Sequence, residues 1–115
     1  MAHDLFHAIQ RDELVVETAV TVVAETIHVM TTTYGVGRTS LVEGLGALLA
    51  LDAILLPGKR QVLEAMQLWA RIRRLSFPDA FHLVLARHST HKRIASFDKG
   101  MGNVLSDVTR IEQLP

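Results

Sequence analysis

Short apolar runs alternate along this chain with stretches of helical period, and that alternation constrains the fold more than any other feature. Leu14-Val15-Val16, Ile54-Leu55-Leu56, the segment Arg93 to Phe97 and the segment Val108 to Ile111 are long enough for strands and too short for helices. Strands separated by helices build βαβ units, because parallel neighbours need a crossover connection. The predicted fold class is therefore α/β, with helices flanking a parallel sheet. At 115 residues the expectation is one small domain, with a core but below the usual size of a complete doubly wound fold.

Local signals place the helices. Leu5, Phe6 and Ile9 fit one face of an opening helix that ends near Asp12. Thr18 is positioned to cap a helix running to about Tyr34, with Gly35 ending it. Ser40 and Glu43 have capping-box spacing at the start of another, which runs to about Leu51. Pro57-Gly58 closes the strand at Ile54-Leu55-Leu56 with a turn. Lys59 to Leu75 carries Val62, Met66, Trp69 and Ile72 on one stripe. Phe77 to about Ser89 is apolar nearly all round, as suits a helix buried between a sheet and other helices.

The 49% hydrophobic content excludes disorder, and the longest apolar runs are far too short to span a membrane. No N-terminal pattern resembles a signal peptide, and the absence of cysteine excludes disulfides and thiolate metal sites. The expected location is the cytoplasm. Net charge is zero but uneven: residues 59–93 hold eight bases against Glu64 and Asp79, whereas residues 1–58 hold seven acids and two bases. The basic stretch is either an anion-binding face or a set of arginines solvating a helix surface.

Three acids stand where chemistry could use them. Glu25 lies three residues after Val22 and four before Val29, so it projects from an apolar stripe. It is either an exposed surface acid or a carboxylate with a partner or a polar cleft, since burying it alone would be costly. Asp79 falls in the first turn of an apolar helix, where Ser76-Phe77-Pro78-Asp79 also matches a capping pattern. Asp98 directly follows the strand ending at Phe97, where a simple turn residue would also fit. Open α/β sheets bind ligands outside the carboxyl ends of their strands, and the topology brings Asp79 and Asp98 towards one such edge.

Gathered together, three carboxylates suit Mg²⁺ or Mn²⁺, which take oxygen ligands and keep several waters. Like charges about 4 Å apart repel by roughly 4 kcal/mol at an effective dielectric near 20, so such a cluster needs a cation or a shared proton. A metal held this way activates water for in-line displacement at phosphorus. The Ser96 hydroxyl is placed to orient a carboxylate or a metal-bound water. The histidines are weaker candidates. His3 and His7, or His82, His88 and His91, would need a third convergent ligand and an orienting shell to hold zinc. There is no phosphate loop, dinucleotide fingerprint or nucleophile motif.

The run from Phe77 to Ala86, followed by Ile94-Ala95-Ser96-Phe97-Asp98-Lys99, resembles the C-terminal signature of PIN-domain ribonucleases. Val22-Val23-Ala24-Glu25 is similar to that family's second acidic motif, and Val108 to Glu112 to its closing strand. The resemblance is nearest to the toxins of VapBC-type toxin–antitoxin systems. It implies a doubly wound parallel sheet, acids holding Mg²⁺ or Mn²⁺, and single-stranded RNA as substrate. It also implies a homodimer and an antitoxin partner.

Two departures accompany it. The family's opening strand, which ends in Asp-Thr-Asn or a close variant, has no counterpart here, and Gly100 stands where many relatives have another acid. Glu25, Asp79 and Asp98 remain as metal ligands. Without the opening strand, the strands at Leu14-Val16 and Arg93-Phe97 lack the neighbour that the resemblance places between them. They are expected to close up on each other or to recruit a strand from a second chain, rather than leave the sheet split. The leading expectation is a metal-dependent ribonuclease. The alternative is a non-catalytic PIN-like module that docks an antitoxin or RNA.

Overall fold

The structure, a computed structural model, describes residues 2–90, 93–95 and 109–111. Its elements follow the order α1 (Ala2–Gln10), β1 (Val16–Glu17), α2 (Val20–Thr32), α3 (Arg38–Leu49), β2 (Ile54–Leu55), α4 (Lys59–Arg71), α5 (Phe77–Arg87), β3 (Arg93–Ala95) and β4 (Thr109–Ile111). The chain divides into two compact units, Met1–Leu63 and Glu64–Pro115. No described helix is long and apolar enough to cross a membrane.

In the first unit, β1 and β2 pair in parallel with Val16 opposite Ile54 and Glu17 opposite Leu55. The Val16 N–H donates to the Ala53 carbonyl at 2.8 Å, and the Thr18 N–H to that of Leu55 at 2.9 Å. The crossover between them is α2 and α3, as a parallel pair requires. Strand β1 starts later than Leu14 because that residue is held elsewhere. The N–H groups of Glu13 and Leu14 both donate to the Ala8 carbonyl, which ties them to the end of α1. Asp12, with φ of 58°, makes the sharp exit from that helix, a conformation aspartate tolerates better than most residues.

Two expected caps are not made. Thr18 is engaged in the β1–β2 ladder through its N–H, so Ala19 takes the N-cap position of α2 with no side-chain cap. Helix α3 begins at Arg38, after an extended Gly37, which moves Ser40 into the helix rather than before it. Gly35, with φ of 65°, turns the chain after α2, and Gly58, with φ of 70°, turns it from Pro57 into α4. Buried side chains of this unit include Val23, Ile27, Leu41, Leu49 and Ile54.

In the second unit, α5 packs on β3, and β3 pairs in parallel with β4, Ile94 opposite Arg110. Met66 and Trp69 of the expected α4 stripe are buried, as is Val62 one turn earlier, but the helix stops at Arg71 rather than Leu75. The Leu75 N–H instead closes a turn on the Ile72 carbonyl at 3.1 Å. Leu75, Leu83, Val84 and Ala80 are almost wholly shielded from solvent.

The described strands thus form two parallel pairs, β1–β2 and β3–β4. The architecture is α/β with parallel pairing. Within the first unit the ladder partner of β1 is β2, and within the second that of β3 is β4; Ser96 and Phe97 of the Arg93-Phe97 segment lie outside the described residues.

Candidate functional site

Asp79 is placed by its own helix start. Ser76 is the N-cap of α5, with extended backbone, and its Oγ accepts from the Asp79 N–H at 3.2 Å. The Ala80 N–H reaches the Ser76 carbonyl at 3.0 Å, and Pro78 presets the first turn. Capping is therefore done by the Ser76 hydroxyl. The Asp79 carboxylate, half-buried at the helix N-terminus, has no hydrogen-bond or ion-pair partner among the described residues. The positive end of the helix dipole favours an acid at that position, and its oxygens stay available to a ligand.

Glu25 sits in the middle of α2, exposed, and also without a partner among the described residues. With Val22, Thr26, Val29 and Met30 it lines an open depression of about 250 Å³. The cost of burying a carboxylate, which pointed to a partner or a polar cleft, does not arise, because Val22 at 53% exposure and Val29 leave this face of the helix open to water. Asp98 and Ser96 lie outside the described residues. Glu25 belongs to the first unit and Asp79 to the second.

A second depression, of about 560 Å³, opens at the carboxyl ends of β1 and β2. Glu17, the last residue of β1, lines it together with Thr18 and Leu56, which directly follow the two strands, and Asp52 and Lys59 complete its polar lining. The Lys59 Nζ donates to the Leu51 carbonyl at 2.8 Å, which anchors the start of α4 to the turn before β2. Sequence reasoning passed over Glu17 and Asp52. The available signal was the acid directly after the β-branched run at Val15-Val16, the same cue that singled out Asp98.

The described histidines do not assemble; His91 and the His3 side chain lie outside the described residues. His88 Nε2 lies 2.7 Å from Glu64 Oε2, and Arg87 pairs with the other oxygen of Glu64 at 3.4 Å, which joins the end of α5 to α4. The His82 ring lies beside that of Phe81. Among the described residues no three His, Asp or Glu side chains come together to hold a metal. None of their polar or charged side chains is buried either. The donor chemistry of Glu25 and Asp79 nonetheless fits a hard cation: both offer carboxylate oxygens that no described protein group occupies.

An α/β domain with parallel strands and, at the start of a buried helix, an acid unpaired among the described residues belongs to the broad class whose sites sit at strand and helix ends. Within that class the chain belongs to the PIN domain family, whose profile matches residues 2–105, across both compact units. The PIN domain is a nuclease-type fold, generally dependent on a divalent metal. No curated protein and no solved structure matches the chain.

Proposed function

We propose that this chain is a metal-dependent ribonuclease of the toxin type, hydrolysing RNA phosphodiester bonds. The observation that carries the reading is the Asp79 carboxylate, left without a described partner because Ser76 caps its helix, within a chain matched by the PIN family over residues 2–105. Glu25, Asp79 and Asp98 would hold Mg²⁺ or Mn²⁺, and Ser96 would orient one of those carboxylates. The bound ion supplies activation of water and stabilisation of the charge that develops at phosphorus. The chain's own part is to present carboxylate oxygens that replace some of the ion's waters. The toxin assignment also brings an antitoxin partner and a homodimer.

The test is cleavage of a labelled single-stranded RNA with Mn²⁺, comparing the natural chain with Glu25→Gln, Asp79→Asn and Asp98→Asn. Each substitution is expected to lower the rate on the order of 10²-fold or more, the scale for losing a group that stabilises transition-state charge. EDTA should abolish cleavage. Retained cleavage in EDTA rejects the metal, and full activity of Asp79→Asn rejects the site. If the natural chain binds RNA or an antitoxin but never cuts, the non-catalytic binding module replaces the nuclease.

A further inference from the structure

The connection between α4 and α5 gathers three positive charges within four residues. Arg71, in the last turn of α4, and Arg73 and Arg74, in the turn that follows, are all exposed. Between and after them, Ile72 is half-buried and Leu75 is 1% exposed. The Ile72 N–H donates to the Leu68 carbonyl at 2.9 Å and the Leu75 N–H to that of Ile72 at 3.1 Å. The apolar residues thus anchor the turn and the arginines project from it, so the charges are held in place rather than carried on a loose loop. Arg71 and Arg73 have no ion-pair partner among the described residues. Glu64, one of the described acids of the unit, is taken by Arg87 and His88. The other, Asp79, has its carboxylate unpaired among the described residues.

Clustered guanidinium groups repel one another, and a polyanion removes that repulsion while releasing its own counterions. We propose that the turn from Arg71 to Leu75 grips the sugar–phosphate backbone of a single-stranded RNA close to Asp79. The choice of RNA rests on the ribonuclease reading. Asp79 lies six positions after Arg73, which limits their Cα separation to about 20 Å even in a fully extended chain. The strand gripped here therefore passes within a few nucleotides of the acid. The contact carries no sequence information, because the aromatic residues nearby cannot stack on bases: Trp69 and Phe77 are buried, and Phe81 lies stacked against Phe77 at 6.2 Å.

The experiment is fluorescence anisotropy with a labelled single-stranded RNA in EDTA, where no cleavage occurs, across a range of salt concentrations. The double variant Arg71→Gln/Arg73→Gln should bind about tenfold more weakly at 0.15 M salt, with a log–log salt slope shallower by about 1.4, since each phosphate contact contributes about 0.7 on a single strand. The loss should be equal for a uridine homopolymer and a mixed sequence. The variant Arg71→Lys/Arg73→Lys, which keeps both charges, should retain the slope and guards against a folding defect in the glutamine pair. An unchanged slope in the glutamine variant overturns the proposal. So does an equal loss in the lysine variant, or arginine-dependent binding to phosphatidylserine vesicles with RNA binding unaffected. A protein that binds RNA through this turn and never cuts keeps the grip and sinks the nuclease. One that cuts with the same kcat and KM in the glutamine variant sinks the grip alone.

Discussion

Helices α2 and α5 each carry one candidate metal ligand, and they hold it by opposite means. Helix α5 is capped by Ser76, preset by Pro78, and buries Phe77, Ala80, Leu83, Val84 and Ala86. Helix α2 starts at Ala19 without a side-chain cap and buries only Val23 and Ile27, while Val22 and Val29 face water. The acid of α5 sits in its first turn, fixed by the cap; that of α2 sits midway along an exposed face. The difference shows that a carboxylate can be placed by its helix start or only by the rotation of a helix, and that the former is far more constrained.

Stability measurements can break or sharpen that contrast. The largest effect is expected in the α5 core. Leu83→Ala should cost about 2–5 kcal/mol in urea unfolding, as other buried leucines do, and Val22→Ala on the open face of α2 less than about 0.5 kcal/mol. Equal costs would mean that the two helices are equally buried in solution. The caps come next. Ser76→Ala should lose about 1 kcal/mol, and Ala19→Ser should gain about 0.5–1 kcal/mol by supplying the missing acceptor. The backbone at Ala19, with φ of −144° and ψ of 160°, is already in the extended conformation that a cap requires. A stabilised Ala19→Ser protein would confirm that α2 is loosely started. The smallest change should come from Glu64→Gln, which removes the ties to Arg87 and His88. All three side chains are about a third exposed or more, so the loss should stay below about 1 kcal/mol and shrink further as salt is added.

The start of α5 was legible residue by residue. Ser76, Pro78 and Asp79 act within one turn of each other, and the cap, the preset φ and the acid all appear where their spacing placed them. The apolar stripe of α4 was equally plain, with Met66 and Trp69 inside and only the last turn overrun. The caps at Thr18 and Ser40 misled because each signal is worth about 1 kcal/mol and other demands override it. Thr18 is claimed by a strand partner nearly forty positions away, through the Leu55 carbonyl. The reading of Leu14 as strand failed for a similar reason, since its N–H is claimed by Ala8. For the site, Glu25 and Asp79 were found as acids; the exposed reading of Glu25 was one of two that its spacing left open, and nothing near Asp79 in sequence foretold that every described group would leave it unpaired.

By itself, then, the sequence determined the alternation of strand and helix, the capped start of α5, the absence of thiol chemistry and the uneven charge that leaves arginines between α4 and α5. Each of these depends on residue types a turn or less apart, or on composition alone. Only the tertiary structure decided that β1 pairs with β2 in the register Val16 to Ile54, that β3 pairs with β4, and that the Asp79 carboxylate is left without a described partner. Strand pairing and side-chain exposure depend on backbone groups and surfaces brought together from distant parts of the chain. No local preference, worth about 1 kcal/mol, can choose among partners when a ladder of hydrogen bonds and the burial of whole side chains weigh more.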